Sequence, residues 1–315
     1  MTVRLAVLDD YGSVAHALGP WERLDGRAEV DFIAEHLGDP VTRLQPYDAL
    51  VAMRERTPFP RAVLERLPAL RLLVTTGMVN ASIDLDAARD HGVTVCGTTS
   101  RGAPPAELTW ALILGLVKNV VREDAAVRAG GWQQAVGGDL EGRRLGLLGL
   151  GRLGRRVAAV GLALGMDVVA WSANLTAQDA ASAGVTRVEL DELLRTSHVV
   201  SIHLRLSDRT RGLLGARELG LMRPGALLIN TSRGPIVDEA ALVRALESGA
   251  IGGAGLDVFD AEPLPADHPL RTAPRTLLTP HVGYVTETTF RTMFGDAVED
   301  VEAFLDGAPV RVLSG

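Results

Sequence analysis

Three short stretches of this 315-residue chain each set a polar side chain just after an apolar run that reads as a strand. Residues 230–234 (Asn-Thr-Ser-Arg-Gly) supply Arg233, residues 257–263 (Asp-Val-Phe-Asp-Ala-Glu-Pro) supply Glu262, and residues 279–283 (Thr-Pro-His-Val-Gly) supply His281. An arginine presents a planar fork that binds a carboxylate through two parallel hydrogen bonds. A histidine gains and loses a proton near neutral pH. A carboxylate bonded to that ring would orient it and favour its protonated form. Together they match the needs of 2-oxo acid reduction: a fixed cation for the acid group, a proton donor at the carbonyl oxygen, and a hydride donor on the other face. Asp257 lies inside the apolar run 252–259, where a carboxylate is costly unless it is paired. A contact to a nicotinamide amide and a hydrogen bond to loop backbone both account for it.

The hydride donor has its own signature upstream. Gly149-Leu150-Gly151-Arg152-Leu153-Gly154 follows the apolar run 145–148 and opens a stretch of helical character, the context a dinucleotide-binding glycine turn requires. Gly149 permits the tight turn, Gly151 lets the backbone approach a pyrophosphate, and Gly154 allows helix and strand to pack closely. The pyrophosphate would rest on the helix N-terminus beside Arg152 and Leu153, where unpaired N–H groups favour negative charge. The carboxylate that usually binds the ribose of NAD about 20 residues later is absent. Ser172 and Asn174 stand there instead, and either could donate to a 2′-phosphate. Arg205 could add positive charge, or lie on a solvated loop. The cofactor is therefore NAD or NADP, with a lean toward acceptance of NADP. Thr231 and His203, both at strand ends, are further candidates for cofactor-side contacts.

Short β-branched or leucine-rich runs alternate with Ala/Leu/Arg segments throughout, which is α/β patterning. Runs at 5–8, 49–53, 72–75 and 93–96 precede a helix expected to begin at Pro104, and runs at 145–148, 168–171, 199–202, 226–229, 255–258 and 276–278 follow it. Helical spacing over 287–305 returns the chain to its first part. The expectation is a discontinuous substrate domain, 1–101 with 286–315, interrupted by a doubly wound dinucleotide-binding domain, 102–285.

Formal charge is −7 with both signs interspersed, giving no basic stripe for nucleic acid. Cys96 is the single cysteine, so it forms no internal disulfide and lacks the clustered spacing of a metal site. The apolar run 108–117 is far shorter than the roughly 20 residues of a membrane span. These features point to a cytoplasmic protein without a metal, membrane or nucleic-acid partner.

With these motifs in place the chain resembles the D-isomer-specific 2-hydroxyacid dehydrogenases over essentially its whole length, most closely from Gly149 to Gly283. The resemblance implies two Rossmann-like domains, the substrate domain flavodoxin-like and the inserted one binding NAD(P). It implies that Arg233 binds the substrate, Glu262 orients the histidine, His281 is the acid/base and Asp257 holds the nicotinamide carboxamide. It further implies that the loop Thr76-Gly77-Met78-Val79 meets the substrate carboxylate through backbone amides. A homodimer is implied as well, with the helix near 108–121 and the arm around Trp132 at the subunit contact. Three departures stand out: Ser172 replaces the acidic residue, His203-Leu204-Arg205 replaces a His-x-Pro motif, and Tyr284 follows Gly283 where a small residue is common. Tyr284 would reshape the mouth of the site. Substrates from glyoxylate and hydroxypyruvate to phosphorylated or branched 2-oxo acids fit this reading. A dinucleotide-sensing, corepressor-like scaffold with little turnover is the alternative. A formate-type dehydrogenase is disfavoured, because those relatives carry glutamine where Glu262 stands.

Overall fold

The computed structural model describes residues 2–99 and 102–314. The chain divides into two compact units, Met1–Arg101 with Val285–Gly315, and Gly102–Tyr284. Arg101, at the junction expected from the sequence, lies outside the described residues. Val285 groups with the first unit, one residue earlier than the expected boundary at 286.

The first unit is built on a parallel five-stranded sheet of β1 (Val3–Val7), β2 (Ala28–Phe32), β3 (Ala49–Ala52), β4 (Leu72–Thr75) and β5 (Thr94–Gly97), in the order β2-β1-β3-β4-β5. This is the flavodoxin-like order. Every residue of β3 and β4 is buried, as expected for parallel strands covered on both faces. β2 is half-exposed with an alternating pattern and pairs only with β1, so it carried no continuous apolar run. The helix Glu287–Leu305 belongs to this unit and buries Phe290, Met293, Phe294, Val298 and Val301.

The second unit holds seven parallel strands: β6 (Arg144–Leu148), β7 (Asp167–Trp171), β8 (Thr186–Arg187), β9 (Val199–Ile202), β10 (Leu227–Asn230), β11 (Gly253–Leu256) and β12 (Thr276–Leu278). Their order is β12-β11-β10-β9-β6-β7-β8. β6 thus lies between β7, which follows it in sequence, and β9, which begins the other half. That reversal is the topological switch point at which open α/β sheets bind ligands, off the carboxyl ends of the strands. Both units are α/β with all-parallel sheets, the doubly wound class expected from the sequence.

Two boundaries depart from the sequence reading in ways that matter for the site. β11 ends at Leu256, two residues before the expected strand end, because the apolar run continues past the last ladder position. Asp257 is consequently the first residue beyond the strand rather than a strand residue. β8, a two-residue edge strand, carries no apolar run at all.

Candidate active site

All of the glycine turn, Ser172, His203, Thr231, Arg233, Asp257 and His281 follow the carboxyl ends of strands in one sheet. The glycine turn comes first. Gly149 has φ +101°, its N–H donates to Trp171 O at 2.8 Å, and a Cβ there would stand 2.6 Å from His203 O. At Gly154 a Cβ would collide with Gly149 O, so strand and helix approach too closely for any side chain. Gly151 is different. It caps the helix Arg152–Ala163 with no side-chain hydrogen bond, and a Cβ on it would meet nothing within 4 Å. Unpaired first-turn N–H groups facing open space suit a pyrophosphate, so the residues present fit a dinucleotide.

Around this turn the other expected cofactor residues vary in character. Arg152 is exposed, and Leu153 packs partly buried on the core beneath the helix. Ser172 is half-buried directly after β7, and Asn174 is exposed. His203 places Nε2 2.9 Å from Ser201 Oγ, and desolvation pushes it down to about 4. Its backbone closes under Gly149, so it supports the turn through packing. Thr231 Oγ1 lies 2.8 Å from Thr109 Oγ1, tying the end of β10 to the helix Pro104–Val117. Arg205 is exposed.

Arg233 sits in a turn fixed by its neighbours. Buried Asn230, the last residue of β10, donates through Nδ2 to Arg233 O at 2.9 Å and accepts from Ser232 N at 3.0 Å. Ser232 Oγ donates to Ile202 O at 2.8 Å, fastening the turn to β9. Arg233 itself is extended, half-buried, and donates through Nη1 to Ser232 O at 2.7 Å.

The His281 loop hangs on Asp257, which is 1% exposed. Its Oδ1 accepts from Thr279 Oγ1 at 2.5 Å and Val282 N at 2.8 Å, and its Oδ2 accepts from Gly283 N at 2.8 Å. Burial pushes this carboxyl up, opposed by those three donors. Of the two roles open to Asp257, loop hydrogen bonding is the one its geometry displays. A carboxylate offers about four acceptor positions, which leaves one on Oδ2. His281 adopts φ +53°, a left-handed conformation uncommon for non-glycine residues and one that clusters at functional sites. Its Nδ1 lies 2.7 Å from Glu262 Oε2, while Glu262 Oε1 accepts from Phe259 N at 2.9 Å. Glu262 Oε2 therefore accepts a hydrogen bond from Nδ1–H and leaves Nε2 for a reacting group. The ring of Tyr284, 7% exposed, meets the His281 ring edge-on at 5.7 Å.

In the first unit, buried Thr76 accepts through Oγ1 from Arg54 N at 2.9 Å, and its own N–H donates to Ala52 O at 3.0 Å. Gly77, with φ +127°, donates to Thr98 Oγ1 at 3.0 Å. Those two amides are spent on the fold. Among the described residues the amides of Met78 and Val79 have no acceptor, and both side chains are exposed. Also among the described residues, no group of three or more His, Cys, Asp or Glu could hold a metal ion.

Several residues that hold this site together lie inside the three sequence motifs, but their types alone indicate no role. Asn230, Phe259 and Thr279 act through backbone or buried hydrogen bonds, and Gly234 acts by lacking a side chain: a Cβ there would collide with the Phe259 carbonyl.

Residues 110–283 match the family model described as "D-isomer specific 2-hydroxyacid dehydrogenase, NAD binding domain". A glyoxylate reductase of Aeropyrum pernix is 40% identical over 255 residues, covering 78% of this chain and 76% of its own length. A D-3-phosphoglycerate dehydrogenase of Bacillus subtilis is 33% identical over 284 residues, and this chain spans about half of it (54%, against 89% of this chain). A solved phosphoglycerate oxidoreductase from Vibrio cholerae superposes with a TM-score of 0.93 at 35% identity, covering 98% of this chain and 100% of that one. The strand order, the glycine turn and these likenesses agree, and the chain belongs to the D-isomer specific 2-hydroxyacid dehydrogenases.

Proposed function

We propose that this protein is an oxidoreductase catalysing stereospecific, reversible hydride transfer between NAD(P)(H) and C2 of a small 2-oxo or 2-hydroxy acid. The observation that carries the proposal is the 2.7 Å Glu262–His281 pair beside the Arg233 turn, at the strand ends that also present the glycine turn. A bound nicotinamide would supply the hydride. His281 Nε2 delivers a proton to the carbonyl oxygen during reduction and recovers it in oxidation, while Glu262 keeps the ring in that tautomer. Arg233 binds the substrate carboxylate, its backbone held in place by Asn230 and Ser232. The first unit serves as substrate domain, with the free amides of Met78 and Val79 in the Thr76–Val79 turn as carboxylate donors. Tyr284, stacked edge-on against His281, helps set the size of side chain accepted.

The names of the relatives support small or phosphorylated 2-oxo acids as substrates, and glyoxylate is the first to try. Ser172 and Asn174 in place of a carboxylate support use of NADP as well as NAD. Exposed Val120, Val121, Val127, Trp132 and Val136 support a homodimer through the helix Val120–Arg128 and the arm that follows it. Among the described residues no helix is long and apolar enough to cross a membrane. A cytoplasmic site of action agrees with a single cysteine, Cys96, present as a buried free thiol.

The test is NADH and NADPH oxidation, followed by absorbance, across a panel of 2-oxo acids. Turnover well above background is expected with at least one acid. His281→Ala should lower kcat about 10²- to 10⁴-fold, the usual contribution of a positioned general acid, with dinucleotide still bound. Arg233→Ala should raise KM for the acid and slow turnover. Dinucleotide binding without turnover on any acid would favour the scaffold reading instead.

A further inference from the structure

Glu262 owes its place to a loop, and that loop has a second anchor. Successive amides of residues 259 and 260 donate to two different carboxylates: Phe259 N to Glu262 Oε1 at 2.9 Å, and Asp260 N to Glu239 Oε1 at 2.7 Å. Glu239 is the first residue of the helix Glu239–Glu247, whose cap is supplied by Asp238 accepting from Ala241 N at 2.9 Å. The helix therefore does not need the Glu239 side chain for its own capping, and the positive end of the helix dipole favours a carboxylate there. The other oxygen, Oε2, lies 3.3 Å from His268 Nε2. His268 Nδ1 in turn accepts from Leu270 N at 3.3 Å, which leaves its proton on Nε2, directed at Glu239. Two His–Glu pairs thus hold the successive peptides on either side of Phe259, His281 with Glu262 on one and His268 with Glu239 on the next. Gly234 packs directly against the Phe259–Asp260 peptide.

We propose that Glu239, backed by His268, is a positioning residue: it holds the Phe259–Asp260 peptide so that Glu262 meets His281 in register. This deepens the functional reading above and rests on it. Glu239, Asp260 and His268 all border an open cleft of about 650 Å³, so water can reach the Asp260 amide if the carboxylate is removed. The Glu239→Ala chain should accordingly fold, with the loop free to shift.

The test combines steady-state kinetics on the purified full-length protein with ¹⁵N-histidine NMR, which needs no turnover. Glu239→Ala should lower kcat about 10- to 100-fold, the scale of a misplacement near 1 Å, while dinucleotide affinity stays within about two-fold. Glu239→Gln, which keeps an acceptor for the Asp260 amide, should recover most of that loss. Because Glu239 acts through Glu262, adding Glu239→Ala to Glu262→Gln should cost little more than Glu262→Gln alone, whereas a general structural defect would multiply. The Nδ1 signal of His281 should report a changed tautomer balance in Glu239→Ala. Wild-type kcat in Glu239→Ala, fully multiplicative losses, or an unchanged His281 signal would each overturn the proposal. Failure of the functional reading looks different: the wild-type protein would turn over no 2-oxo acid, while the NMR comparison would still decide the role of Glu239.

Discussion

Gly234 lies directly against the peptide that joins Phe259 to Asp260: a Cβ at 234 would collide with the Phe259 carbonyl and stand 2.6 Å from Asp260 N. The turn that carries Arg233 and the loop that carries Glu262 are therefore in backbone contact, and neither can move without the other. A methyl group at this point meets the backbone atoms of that peptide, so no rotamer change relieves it. Gly234→Ala should cost about 1 to 3 kcal/mol of stability, as overpacking does, and reduce kcat and raise KM for the acid together. Urea denaturation alongside steady-state kinetics checks this. A variant with wild-type values in both would mean that the contact is looser than the geometry implies.

Much of this arrangement could be read from the chain, and the rest could not, for identifiable reasons. Leu72–Thr75 and Val199–Ile202 coincide with apolar runs because strands covered on both faces need mostly apolar residues. The helix Pro104–Val117 begins at its proline because the first turn needs no N–H there. β2 escaped detection since an edge strand exposed on one side alternates over only five residues, Ala-Glu-Val-Asp-Phe. Asp257 reads as a strand residue in the sequence because hydrophobicity outlasts the ladder by two positions. The link from Asp260 to Glu239 joins a loop to a helix start 21 residues away, and no local pattern encodes a partner at that range.

The end of β7 makes a prediction about cofactor choice. Ser172, half-buried, and exposed Asn174 leave that position without negative charge. Ser172→Asp would put a carboxylate where a 2′-phosphate would lie, and like charges held that close cost several kcal/mol. NADPH affinity should fall about 10- to 100-fold, with about 1.4 kcal/mol per factor of ten, while NADH affinity holds or improves. Fluorescence titration with both dinucleotides measures the ratio. Equal losses for the two would place the ribose elsewhere.

A surface prediction follows from the arm after Arg128. Trp132 is 77% and Val136 89% exposed, unusual for large apolar side chains and continued by Val120, Val121 and Val127 on the preceding helix. Large apolar side chains exposed together on a helix and on the arm hydrogen-bonded to it are the kind of surface a partner covers. The wild-type protein should sediment as a dimer, and Trp132→Asp should shift it toward monomer. A monomeric wild-type protein at micromolar concentration would remove the basis for the proposed contact.

His203 makes acid sensitivity predictable in sign. Its ring is held down to about 4 by desolvation, against 6.5 for a solvated histidine. Above about pH 6.5 the ring is neutral in both folded and unfolded chains, and its full contribution to stability is present. As pH falls from 6.5 toward 4 the unfolded chain takes up a proton that the folded chain refuses, so stability declines; below about 4 both are protonated and nothing more is lost. The total is on the order of 3 kcal/mol. His203→Gln cannot titrate, so the stability difference between wild type and variant should change in the variant's favour across that window and be flat above it. Urea midpoints measured from pH 4 to pH 8 give this difference directly, and cancel the carboxylates that titrate in both proteins. Because the His203 carbonyl closes beneath Gly149, dinucleotide affinity in the wild type should begin to fall as the ring is forced to accept its proton. A difference that stays constant from pH 8 to pH 4 would show that the ring is solvated and contributes nothing to the glycine turn.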